Sequence, residues 1–220
     1  VLSNIYLKPT KDGWPEFKMK SPIKVKALKG TSIKFFNDIL EKDIRDAGDR
    51  LNESTAAKCY MTRWDMDNNY NSFKKLGELV IALAKTIPLA NATNEGGDPR
   101  QYDYKVADSW GLIYNKGQHT KPHQHWPHAW SFTYCVKGCE KCSPLVFPDS
   151  CLNIETKWER LKVVPQESQL ILWPAWLYHS VPKQECSHER IMAVGNLIVD
   201  WEKSLIPVTE HKLTPPPKGE

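Results

Sequence analysis

From residue 107 onward the chain breaks into short apolar runs rich in Trp, Tyr, Val and Ile, separated by Pro, Gly and Ser. This punctuation leaves little choice of fold. The runs fall at 107–115, 121–126, 130–136, 143–147, 161–164, 168–173, 176–180 and 190–199. Eight strands of this length and spacing predict a sandwich, jelly roll or barrel.

Two amphipathic helices precede the strands. Residues 32–47 place Ile33, Phe36, Leu40 and Ile44 at three- and four-residue intervals behind Thr31 or Ser32 as N-cap, and stop at Gly48. Residues 71–87 line one face with Phe73, Leu76, Val80, Leu83, Ala84 and Ile87, and Pro88 ends them. Both are expected to pack as buttresses on the outer face of one sheet. The expected organisation is therefore a basic N-terminal segment and helical buttress over 1–100, integrated with a β core over 101–206, and a mobile Pro-containing tail over 207–220.

Composition narrows the functional classes. At 220 residues, 40% hydrophobic and 25% charged, the chain suits one globular domain rather than a disordered or fibrous protein. The net charge of +4 is spread over 30 basic and 26 acidic residues, which does not indicate a nucleic-acid partner. Lys8, Lys11, Lys18, Lys20, Lys24, Lys26 and Lys29 make only the N-terminus lopsided, and read as a solvated face. No apolar stretch is long enough to cross a membrane, so no membrane partner is expected and the expected location is the cytoplasm. Asn52-Glu53-Ser54 and Asn91-Ala92-Thr93 resemble glycosylation acceptors, but carry no weight without a secretory route.

The chemistry concentrates in the histidines. His119, His123, His125 and His128 fall within ten residues. On a strand, residues two apart share a face, so His123 and His125 would project together and chelate one ion. The apolar run Leu170-Ile171-Leu172-Trp173 passes through Pro174 and delivers His179, and Arg190 opens a strand eleven residues later. An oxygen-binding metal needs protein ligands on one side and open positions on the other. A guanidinium nearby offers the fork that a dicarboxylic cosubstrate needs.

Five segments in this order resemble the 2-oxoglutarate- and iron(II)-dependent oxygenases of marine phages and bacteria, relatives of the prolyl hydroxylases. They are Asp108-Ser109-Trp110; Gly117 with His123-Gln124-His125; Ser131-Phe132-Thr133-Tyr134; Pro144-Leu145-Val146-Phe147; and Leu170 to His179 with Ser180-Val181-Pro182, followed by Arg190 and Asn196. The resemblance spans about 108–200, with Phe132 where the family usually has Gly. It implies a double-stranded β-helix, the cupin-like jelly roll, with Fe(II) on His123, His125 and His179. It also implies 2-oxoglutarate on Arg190, with Tyr114, Ser131 and Asn196 as further cosubstrate-binding residues. The implied activity is hydroxylation of a C–H bond, on a protein side chain or small molecule, using dioxygen. A phage-encoded protein acting in a host cytoplasm would fit. One departure stands out: prolyl hydroxylases carry His-x-Asp where this chain has His125. Three imidazoles favour Fe(II) less over Zn, Ni or Cu. His128 is the alternative third ligand if the strand ends early.

Cys139-Glu140-Lys141-Cys142 has the spacing of a zinc knuckle, so Cys139 and Cys142 are candidate zinc ligands that Cys135, Cys151 or Cys186 would complete. Reduced cytosolic thiols are the competing reading. Trp126, Trp130, Trp173, Trp176 and Tyr178 read mainly as core, with one or two walling a substrate cleft. Two other functions compete with an oxygenase. A cupin-type metalloprotein would want a Glu where Ala129 and Trp130 stand, and has no use for Arg190. A zinc-stabilised binding module would close its coordination shell. Substrate identity and oligomeric state are not encoded in any of these signals.

Overall fold

A computed structural model describes residues 23–49, 55–87, 102–147 and 161–203. Lys8, Lys11, Lys18 and Lys20, both Asn triplets, Cys151 and the tail from 207 lie outside the described residues. In chain order the elements are β1 (Lys24–Ala27), α1 (Ile33–Asp46), β2 (Ala57–Lys58), β3 (Tyr60–Met61), α2 (Met66–Asn69), α3 (Asn71–Ala84) and β4 (Tyr104–Tyr114). There follow β5 (His119–His123), β6 (Trp130–Lys137), β7 (Leu145–Phe147), β8 (Leu161–Val163), β9 (Gln169–Pro174), β10 (His179–Val181) and β11 (Arg190–Val199).

The strands form two antiparallel sheets, ordered β1-β9-β6-β11-β4-β3 and β2-β5-β10-β7-β8. Such a pair of facing sheets, with few helices, is the expected jelly roll. The six-stranded sheet is covered on both sides. Leu170, Leu172, Ile191, Ala193 and Leu197 pack with Leu40, Ile44, Phe73, Leu76 and Val80 of the two long helices. The alternate residues Ile171, Trp173, Met192 and Val194 pack inward with Leu145, Phe147 and Val181 of the second sheet. Two-faced burial explains why β9 and β11 are apolar without alternation.

The helices dock closely because the partner surface lacks side chains. A Cβ on Gly111 of β4 would stand 2.5 Å from Ile44 Cγ1. Helix α1 runs within one residue of its expected ends, and Gly48 past its end adopts φ +77. The second long helix ends at Ala84, short of the expected 87, with Thr86 and Ile87 continuing in turns bonded to Leu83 and Ala84 carbonyls.

Three strands carry no sequence expectation. Edge strand β1 pairs with β9 through Lys24↔Leu172 and Lys26↔Leu170, and all four of its residues are exposed. Lysines on an edge block further strand addition. Lys24 and Lys26 are therefore part of a solvated sheet edge.

Candidate metal and cosubstrate site

The cavity between the sheets has a volume of about 400 Å³ and is reached by His123, His125, His179, Trp173 and Arg190. The metal-binding atoms of His123, His125 and His179 all lie within 4.8 Å of one another. His179 opens β10 directly opposite His123 at the end of β5.

His125 arrives differently from expectation. The strand expected over 121–126 ends at His123, so the two histidines do not share a strand face. His125 sits in the following turn, where its N–H donates to Ala175 O at 2.8 Å and its carbonyl accepts from His128 N–H at 2.9 Å. This turn brings the ring within 4.8 Å of His123 and 5.2 Å of His179, centroid to centroid. His128 points elsewhere, its Nε2 lying 3.5 Å from Asp108 Oδ2. The strand expected over 176–180 begins only at His179, because Leu177 N–H closes a turn onto Pro174 O.

Burial keeps the imidazoles neutral, the form that binds metal. It is the main cause that holds His125 down to about 3 and His179 well below the usual range, with repulsion from the neighbouring histidines adding to both. His123 is lowered by burial as well. Carbonyl oxygens of Lys121 and Leu177 accept from Nδ1–H of His123 and His179 at 2.9 and 3.1 Å, leaving each Nε2 lone pair free. His125 Nδ1 instead stands 3.5 Å from Asn196 Nδ2. No carboxylate joins the three imidazoles among the described residues.

A polar chain backs His125. Ser131 Oγ donates to Asn196 Oδ1 at 2.7 Å, and Asn196 Nδ2 donates to Asp108 Oδ1 at 2.7 Å. Burial raises the Asp108 carboxyl. Asn196 thus lies six residues along β11 from Arg190, opposite Ser131 of β6, with their hydrogen bonds directed to one another and Asp108.

At the other end, Arg190 is 2% exposed, and its Nε and Nη1 have no hydrogen-bond partner among the described residues. Its guanidinium lies 5.0 Å from the centroid of Tyr114, and the Tyr114 hydroxyl shares a 2.7 Å hydrogen bond with Thr120 Oγ1. Met192, Val194 and Asn196 line the cavity with Arg190, as expected of alternate residues on one strand. Trp173 Nε1 is a second buried donor without a partner. Its ring meets that of His179 edge-on at 4.9 Å. Of the tryptophans, Trp130 and Trp173 are core, whereas Trp64 and Trp126 line the cavity at 46% and 70% exposure and form its mouth. Trp64 carried no sequence signal, because only the pairing of β3 with β4 brings it there.

A jelly roll with a histidine cluster and a buried cation in one cavity can hold a metal ion beside an anionic ligand. Comparison with known proteins makes this specific. Residues 108–196 match the family described as "Putative 2OG-Fe(II) oxygenase". This is the family that the sequence resemblance implied.

Solved structures share the fold. A Pseudomonas putida prolyl-4-hydroxylase superposes with TM-score 0.58 at 12% identity, covering 81% of this chain and 92% of that one. A viral collagen prolyl hydroxylase from Paramecium bursaria Chlorella virus-1, solved as a 2-oxoglutarate complex, gives 0.53 at 16% identity, covering 79% and 94%. The α-ketoglutarate-dependent epimerase SnoN of nogalamycin biosynthesis gives 0.62 at 12% identity, covering 81% and 78%. No curated protein sequence matches the chain. No described helix is long and apolar enough to cross a membrane.

Proposed function

We propose that His123, His125 and His179 hold the iron(II), and that Arg190 holds the distal carboxylate of 2-oxoglutarate, for hydroxylation of a C–H bond on a protein side chain or small molecule. The observation that carries this reading is the buried guanidinium with unpartnered N–H groups. An unpaired buried cation is costly, and a bidentate carboxylate is the natural partner of its fork.

When bound, iron and 2-oxoglutarate supply oxidative decarboxylation of the cosubstrate coupled to oxygenation of the substrate. The chain's own residues bind and orient. Lys121 and Leu177 carbonyls fix the rings of His123 and His179, so Nε2 of each is presented to the cavity. Ser131, Asn196 and Asp108 steady His125, so Ser131 and Asn196 act on the metal side rather than as direct cosubstrate ligands. Tyr114 seats the guanidinium on its ring face. Trp173 offers Nε1–H to a ligand oxygen, while Met192, Val194 and Leu145 keep the space between the two ends dry. Trp64 and Trp126 at the mouth suit a substrate with a flat or apolar face.

The free thiols of Cys59, Cys135, Cys139, Cys142 and Cys186 support a reducing, cytoplasmic location. Zinc on Cys139 and Cys142 would have no part in this chemistry.

Anaerobic titration of Fe(II) and 2-oxoglutarate tests the assignment. The weak visible charge-transfer band of the chelate is expected in the wild type and absent from His179→Ala. An equal band in both proteins would remove the histidine cluster from the site.

A further inference from the structure

The loop from β6 to β7 and the loop from β10 to β11 meet at a second cluster of metal-ligating side chains. Cys139 Sγ lies 3.6 Å from Cys142 Sγ and 3.9 Å from Cys186 Sγ, and Cys142 and Cys186 are 3.7 Å apart. Bonded sulfurs would be about 2.05 Å apart, so this is no disulfide. A tetrahedral zinc with Zn–S bonds of about 2.3 Å has S···S edges of about 3.8 Å. The three thiols therefore form one face of the tetrahedron such an ion requires. His188 stands beside two of these thiols as the candidate fourth ligand: its Nδ1 is 3.8 Å from Cys139 Sγ, and the ligand atoms of Cys139, Cys186 and His188 all lie within 4.8 Å of one another.

The surroundings are those of a thiolate site. Cys139 N–H and Gln184 Nε2 donate to Cys142 Sγ at 3.3 and 3.4 Å. Gln184 is 1% exposed, and its Oε1 accepts from Ser143 N–H at 3.1 Å, so one buried amide ties both loops together. Its Nε2 also donates to His188 O at 3.0 Å, holding the backbone that carries the imidazole.

We propose that Cys139, Cys142, Cys186 and His188 bind one structural zinc ion, distinct from the iron site, that staples the β6–β7 loop to the β10–β11 loop. Binding displaces the three thiol protons to solvent and leaves a Cys3His shell with no open position. The stapled loop spans residues 182–189, between His179 and Arg190, so the ion fixes the segment joining the metal-binding and carboxylate-binding ends of the cavity. Of the residues expected to complete the cysteine pair Cys186 is the one at hand, and His188 joins it as a ligand the sequence did not announce.

Zinc content per chain, measured on protein purified without chelators, tests this. About one zinc is expected in His179→Ala, whose histidine site is disabled, and the cysteine variants are made in that background. A loss of tenfold or more is expected in Cys142→Ser and Cys186→Ser. His188→Ala should bind zinc more weakly, and His188→Cys should restore it, which separates ligation from folding failure. If the serine variants do not fold, cobalt reconstitution of the wild type is the independent readout, giving thiolate-to-cobalt charge transfer and strong tetrahedral ligand-field bands. A His179→Ala protein that takes up no zinc, that forms a Cys139–Cys142 disulfide, or that keeps its zinc when Cys142→Ser is added would overturn the proposal.

Discussion

Arg190 and Tyr114 are cross-strand partners on β11 and β4, and the guanidinium of one lies 5.0 Å from the ring centroid of the other. The aromatic face is a weak counter-charge for a buried cation, worth about 0.5–2 kcal/mol. Arg190 is thus held ready at the expense of the ligand-free fold.

That relationship gives a two-sided expectation for Arg190→Met. Without cosubstrate the variant should melt a few degrees higher, since replacing an unpaired buried charge with an apolar chain of similar length is neutral or stabilising. Its affinity for 2-oxoglutarate should fall roughly ten- to a hundredfold or more, with iron affinity little changed. Arg190→Lys should fall between, keeping charge without the fork. Thermal denaturation with and without cosubstrate reads both effects. A variant still stabilised by 2-oxoglutarate as strongly as wild type would remove Arg190 from the binding role.

The histidine cluster makes the metal-free protein acid-sensitive. Burial holds His125 down to about 3 and lowers His123 and His179, whereas unfolded imidazoles titrate near ~6.5. Between those limits the unfolded chain binds more protons than the folded one, so stability rises with pH in that window. The contribution is present above ~6.5 and is lost as pH falls toward about 3. Melting temperatures of chelator-treated protein from pH 7.5 downward should fall through this range, and His125→Asn should flatten the slope. Identical slopes would place the acid-sensitive groups elsewhere.

Gly195 is a packing constraint beside the site. A Cβ there would lie 2.5 Å from Asp108 O and 2.7 Å from Phe132 Cζ, one of them backbone that cannot swing aside. Gly195→Ala should cost about 1–3 kcal/mol and lower the Tm by roughly 2–10 °C. Because Asn196 follows directly, the hydrogen bond from Asn196 to Asp108 should loosen and metal affinity should drop as well. Unfolding and iron titrations on the same preparation check both. An unchanged Tm would mean that the strands part there without cost.

The long strands and both main helices were legible because their signals are local: apolar runs, Pro and Gly stops, and three-to-four spacing around Leu40 and Leu76. β2 and β3, two residues each, pair with His119–Thr120 and Leu112–Ile113 across long sequence separation, so their sequences show only a short mixed run. Lys24 and Lys26 read as charge rather than strand because an edge exposes them. The meeting of His123 and His125 was legible, but its cause was not. A shared strand face was expected, whereas the chain turns after His123 and carries His125 back through its bond to Ala175. His188 escaped notice because its distance from Cys139 depends on two loops meeting, which spacing along one chain does not encode.

The last expectation concerns the missing carboxylate. His125 stands where prolyl hydroxylases carry Asp, and with His123 and His179 it gives an uncharged donor set. Neutral imidazoles bind Zn, Ni and Cu at least as readily as Fe(II), so the natural site should show weak discrimination. His125 is also the ring without a carbonyl acceptor at Nδ1; its neighbour is Asn196 Nδ2, a donor already engaged with Asp108. An aspartate at 125 would accept from that amide and bring one negative charge to the ion. His125→Asp should therefore keep metal binding and shift preference toward Fe(II), with nickel and copper affinity falling relative to iron. Competition between Fe(II) and Ni(II) under anaerobic conditions, on wild type and variant, measures the shift directly. His128→Ala is the control: its imidazole faces Asp108 at 3.5 Å and should leave metal stoichiometry unchanged. If His128→Ala instead abolished binding while His125→Asp left the preference as it was, the third ligand would be His128, and the turn after β5 would have to rearrange on loading.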